Sequence, residues 1–208
     1  KRVLALAEAL PGLSDALIAW IERVVAELAK PATFRRAPES DIVDARFLAD
    51  FGDTLRLHHC FSNEPFTKDK FEYAMVWVAN ACDRKASLAQ KGNRGHDMTL
   101  DGVPLSLKTQ ADKGIRFDEI HISKFMELGK GQWGTAVSDL HGLRDQFLAH
   151  LAGYERILTL RHLAHDGPRR YELVEIPKAL LARALGKAKA VRDEPVLAGP
   201  PSATYRLD

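Results

Sequence analysis

The chain has 208 residues, 46% of them hydrophobic, and 30 Lys plus Arg against 28 Asp plus Glu, for a formal net charge of +2. That size fits one compact domain with or without a small helical appendage, and a near-neutral balance neither demands nor excludes nucleic acid, because a DNA cleft needs local rather than global charge. Two cysteines without a pairing pattern, Cys60 and Cys82, argue against a disulfide framework and for a reducing compartment. With no apolar run long enough to span a membrane and no signal peptide, a cytoplasmic location is expected.

The first third reads as helical. Residues 2–10 carry apolar side chains at helical spacing up to Pro11-Gly12, and a second amphipathic helix runs from a Ser14 cap to Lys30-Pro31. A polar connector holds Arg35-Arg36. Ser40 then suits the cap of a helix through Ile42, Val43, Phe47 and Leu48, ending near Gly52, while 53–61 has only a weak helical preference. The plain reading is packed helices; the sharper one is a module that contacts DNA or dimerises.

From the Thr67 cap a strong helix reaches about Cys82 with Glu72 in its early turns, followed by a short strand near 85–89 and a Gly-rich turn with Lys91 and Arg94 placed for backbone phosphates. Residues 96–109 form two strands joined at Asp101-Gly102, the dipeptide of a tight hairpin. The hairpin brings Asp97 and Lys108 beside each other, with Ser106 on the Lys108 face. A carboxylate, a hydroxyl and an ammonium on one edge suit a divalent cation beside a phosphodiester. The rest of the chain reads as a polar loop with Lys113 and Arg116, a short segment at 120–127, and a loop with Lys130, Gln132 and Trp133. A helix at 135–153, strands at 156–161 and 171–176, and a helix from Pro177 to Gly186 follow, then a basic, Pro-rich linker at 187–202 and a strand at 204–208. That strand stops at the chain's end and the chain starts at Lys1, so a fragment of a longer protein is expected. The histidines show no zinc spacing; His96 and His121 stand near the candidate carboxylates.

The residues Asp97…Ser106-Leu107-Lys108, preceded by a helical Glu72, resemble the active-site hairpin of the PD-(D/E)xK nucleases, and Ser106 in the usual acidic slot is most similar to the EcoRII-like branch of type II restriction endonucleases. The resemblance covers about Phe66 to Ile176. It implies an α/β fold with a restriction-endonuclease-like core, a central mixed sheet flanked by helices, and here a helical N-terminal part. The implied organisation is 1–62 helical, 63–186 nuclease core, 187–208 linker and terminal strand.

It also implies Mg²⁺-dependent, site-specific hydrolysis of double-stranded DNA by a homodimer, with Asp97, Glu72 and the Leu107 backbone carbonyl as metal ligands and Lys108 and Ser106 at the attacking water. The missing acid is supplied by Glu72, by Glu119, or by Glu127, in that order of preference. Arg35, Arg36, Lys91, Arg94, Lys113, Arg116, Lys130, Gln132 and Trp133 are the expected DNA contacts. The competing readings are a MutH-like nickase or defence nuclease domain, and a non-catalytic DNA-binding domain of the same fold.

Overall fold

A computed structural model describes residues 1–93, 95–111, 114–116, 118, 120, 145–163, 169–182, 189–190 and 205–206. Arg94, Lys113, Glu119, His121, Glu127, Lys130, Gln132 and Trp133 lie outside the described residues, as does the first half of the expected 135–153 helix. The chain divides into two compact units, Lys1–Phe66 and Thr67–Asp208.

The first unit is helical. α1 spans Arg2–Ala9 and runs into a 3-10 turn at Leu10–Gly12, and α2 spans Asp15–Leu28, capped by Ser14, whose hydroxyl accepts from the Leu17 amide. Neither α1 nor α2 buries a residue, so Val3, Leu4, Leu17 and Val25 face outward. α3, Ala45–Phe61, corrects the expected helix from Ser40 to Gly52 at both ends. Its cap is Asp44, whose Oδ1 accepts from the Phe47 amide at 2.7 Å, whereas the Ser40 hydroxyl closes an earlier turn by accepting from the Val43 amide. Gly52 does not stop the helix: a Cβ there would lie 2.1 Å from the Phe34 ring, so the glycine makes room for an aromatic contact. The buried face Phe47, Phe51, Leu55 then carries through the segment of weak propensity, because burial outweighs tenths of a kcal/mol of preference. Arg56 donates to the Glu27 and Lys30 carbonyls, which brings a cation to the C-terminal end of α2.

The second unit is built on a five-stranded mixed sheet of order β1-β2-β3-β4-β5: Ala86–Leu88, Met98–Leu100, Val103–Gln110, Arg156–Leu163 and Arg170–Ile176. All pairs are antiparallel except β3 with β4, which run parallel with Lys108 opposite Thr159. The turn between β2 and β3 has φ of 50° at Asp101 and 86° at Gly102, the double left-handed conformation that Asp-Gly adopts at little cost. Asp101 also accepts from Arg84 and from the Lys85 amide, tying the turn to the start of β1.

α4, Lys68–Ala81, lies against β1, β2 and β3. Its buried residues Phe71, Ala74, Met75, Val78 and Ala79 follow the spacing of one helix face, and each large one contributes roughly 1.5–3 kcal/mol through burial. A second cluster joins Phe147 and Leu151 of α5 (145–151) with Tyr154, Ile157, Ile176 and Leu181, the last from α6, Lys178–Ala182. Within the expected linker, Lys189–Ala190 (β6) pairs antiparallel with Tyr205–Arg206 (β7).

Candidate active site

The two-residue turn fixes the hairpin register: Leu100 opposes Val103 and Met98 opposes Leu105. Asp97, one residue before β2, donates its amide to the Leu105 carbonyl and so stands opposite Ser106, not beside Lys108 as the sequence suggested. Past Leu105, the edge of β3 that faced β2 is left to the Asp97 side chain. Its Oδ2 accepts from the Leu107 amide at 2.6 Å and from the Ser106 hydroxyl at 3.2 Å. Lys108 still reaches the same oxygen, with Nζ at 3.7 Å, because its long stem spans the two-residue offset.

The helix supplies the other half. Lys68, in the first turn of α4, places Nζ 2.8 Å from Asp97 Oδ1 and 3.1 Å from Glu72 Oε1. Both carboxylates therefore converge on one cationic atom. Lys68 was not anticipated: a lysine opening a helix reads as surface charge, and its main partner is far away in sequence. Glu72, which the sequence reading named, lies one turn along the same helix and pairs with Lys68.

The charges are set by burial and by this pairing. Burial alone would raise the Asp97 carboxyl, yet the Lys108 charge, the Lys68 hydrogen bond and the Leu107 amide hold it below its ordinary 3.8. Lys108 is shifted down, chiefly by burial and further by Lys68, with the Asp97 charge opposing. Lys68 is shifted up: burial works against its charge, but the bonds to Asp97 and Glu72 outweigh it. Tyr154, just before β4, is a second unanticipated neighbour. Burial and the Asp97 charge push its phenol up to about 12, and its buried hydroxyl has no partner among the described residues. Close contact between the loop before Asp97 and the turn before Tyr154 requires glycine at position 153, since a Cβ there would lie 2.5 Å from the Gly95 Cα.

The donor set suits a hard divalent cation: two carboxylates already gathered around a positive charge, and the Leu107 carbonyl on the strand edge that carries its amide toward Asp97. No group of three or more His, Cys, Asp or Glu side chains is clustered for metal binding among the described residues. Two carboxylates fit Mg²⁺, which keeps several of its waters, better than zinc, which is usually held by three or four protein ligands.

Among the described residues, no ion pair joins the expected DNA contacts to these carboxylates. Lys91 is exposed and lines an open cleft of about 500 Å³ with Gln90, Asn93, His96 and Thr99. The His96 ring contacts Asn93 and Thr99 at 3.4 Å rather than the carboxylates. Arg116 is exposed and pairs with Asp118, while its carbonyl accepts from Arg161. Arg36 donates to the Pro38, Ser40 and Val43 carbonyls, which makes it a brace of its own loop, and Arg35 is exposed.

A mixed sheet whose β2–β3 hairpin carries Ser-x-Lys with an Asp just ahead of it, and a glutamate from the helix packed on it, is a restriction-endonuclease-like core. Comparison with known proteins gives the particular family. Residues 6–200 match the SmaI family, described as type II site-specific deoxyribonuclease, and the chain belongs to that family; it is a restriction endonuclease. It is 41% identical over 170 residues to the type II restriction enzyme SmaI of Serratia marcescens, covering 81% of this chain and 67% of that one. No solved structure matches the chain significantly.

Proposed function

We propose that the chain is a Mg²⁺-dependent endonuclease of the PD-(D/E)xK type, in its Ser-x-Lys branch, that cleaves both strands of double-stranded DNA at a specific site. The observation that carries this reading is the convergence of Asp97 and Glu72 on one cation position, 2.8 and 3.1 Å away, with the Lys108 ammonium 3.7 Å from the same aspartate. In this reading Asp97, Glu72 and the Leu107 carbonyl hold the metal, which when bound polarises a phosphate oxygen and makes water a better nucleophile. Glu119 is the alternative source of the second carboxylate.

The roles follow from position. Leu107 and Ser106 keep one Asp97 oxygen fixed from the strand, which leaves the other free for a cation. Lys108 holds the attacking water and meets the negative charge that grows on the phosphoryl oxygens; burial lowers its hold on its proton, as suits a group that exchanges protons with water. Ser106 cannot carry charge and only orients. Lys91, Arg94 and Arg116 serve backbone phosphates or bases near the site, as do Lys113, Lys130, Gln132 and Trp133, with Arg35 and Arg36 on the helical unit. One site per chain cuts one strand, so double-strand cleavage calls for a homodimer, for which the uncovered apolar faces of α1 and α2 are available.

The test is digestion of plasmid and phage DNA with Mg²⁺ and with a chelator, followed by sequencing of the cut ends. Discrete fragments with one common end sequence, lost on chelation, are expected. Single nicks would favour the MutH-like reading, and intact DNA under all metals would favour a binding domain.

A further inference from the structure

Among the described residues, Lys68 is the one charged side chain of this cluster that the mechanism above does not use, and its position is costly. It opens α4, where the helix dipole favours an anion and disfavours a cation. Thr67, the residue before it, makes no side-chain cap bond that would soften the helix end. Against that, the Lys68 ammonium sits between Asp97 Oδ1 and Glu72 Oε1, at 2.8 and 3.1 Å, and touches both carboxylates at once. Without it, two carboxylates would share the site with Lys108, whose Nζ lies on the far oxygen of Asp97, 3.7 Å away. The lysine thus stands where a divalent ion would meet both acids. Its side chain is 43% exposed, against 18% for Asp97 and 20% for Glu72, so it can swing into solvent while the acids stay in place.

We infer that Lys68 is a built-in counter-ion that occupies the divalent-cation position of the metal-free enzyme and must be displaced for metal to bind. This rests on the metal-site reading proposed above. It makes Lys68 a positioning residue: it keeps the two carboxylates together before metal arrives, at the expense of metal affinity. Displacement breaks a half-exposed ion pair, so the effect is moderate. Removing the charge should tighten binding about tenfold, which corresponds to about 1.4 kcal/mol.

The experiment is titration of the full chain with Mn²⁺ in the absence of DNA, free ion being read by electron paramagnetic resonance, for the parent, Lys68→Met, Lys68→Arg and Asp97→Asn. The inference expects Lys68→Met to bind about tenfold tighter than the parent, Lys68→Arg to bind as the parent does, and Asp97→Asn to bind far more weakly. Should the methionine variant fail to fold, Lys68→Gln is read in the same way. Parental or weaker affinity in Lys68→Met, with Asp97→Asn still impaired, overturns the counter-ion role alone. An Asp97→Asn variant that binds like the parent, or no binding in any form, overturns the metal-site reading and the inference with it.

Discussion

Replacing Asp97 by asparagine keeps shape and one acceptor but removes the charge on which the site is built. The carboxylate takes the Leu107 amide at 2.6 Å, the Lys68 ammonium at 2.8 Å and the Ser106 hydroxyl at 3.2 Å, with Lys108 at 3.7 Å. An amide oxygen can still accept from Leu107, as a neutral bond worth about 1 kcal/mol instead of a charge-assisted one worth about 1.5–3 kcal/mol. The ion pair with Lys68 is lost too, but that partner is 43% exposed and the pair is discounted for solvent. The sum is a destabilisation of about 1–2 kcal/mol, or a urea midpoint lower by about 0.5–1 M for a slope near 2 kcal/mol per molar. On the proposed role of Asp97 as a metal ligand, cleavage should fall by at least about 10³-fold at any Mg²⁺ concentration, because several kcal/mol of charge stabilisation in the transition state would go with it. Urea unfolding followed by circular dichroism and timed plasmid cleavage are the two assays. A variant that cuts within about tenfold of the parent and unfolds at the parental midpoint would show that Asp97 is an ordinary surface acid.

Lys108→Ala should lose at least about 10²-fold in cleavage while DNA affinity, measured by gel retardation without cleavage, drops by less than about tenfold, since one of many phosphate-facing cations is gone. An equal loss in both would make Lys108 a binding residue only. Stability should follow the Asp97 carboxyl with pH: its folded value lies below its ordinary 3.8, so its contribution is fully present above that value and is lost as pH falls through the still lower folded one. The difference in unfolding free energy between parent and Asp97→Asn should therefore be level from about pH 5 to 7 and close below about pH 4. A difference that widens on acidification would contradict the pairing.

Local chemistry made much of the fold legible. Asp101-Gly102 can adopt two successive left-handed conformations, so the hairpin and its strands were visible in the sequence. The spacing of Phe71, Met75 and Val78 announced α4 and placed Glu72 beside the hairpin. What escaped was set by tertiary contact. Gly52 reads as a stop signal until Phe34 is found lying on it, and Ser40 reads as a helix cap until Asp44 is seen to hold the Phe47 amide. In the site, Asp97, Glu72 and Lys108 were legible as residue types in a known order, but Lys68 was not, because its role depends on a partner across the helix–sheet interface. Tyr154 escaped for the same reason: nothing near it in sequence marks a phenol buried within reach of the Asp97 charge.

The parallel pairing of β3 with β4 bears on how the enzyme assembles. Lys68, Glu72, Asp97, Ser106 and Lys108 all precede the crossover of residues 111–155, and α4, β1, β2 and β3 join through short links. Pairing β4 requires that long connection to close first, and loop closure of this kind is what slows folding. The residues of the charged cluster thus all lie ahead of that connection, and the strand along the far edge of β3 lies behind it. On a ribosome these residues are synthesised before β4. A chain ended within that connection would still contain both acids and both lysines but lack the strand that pairs with the far edge of β3.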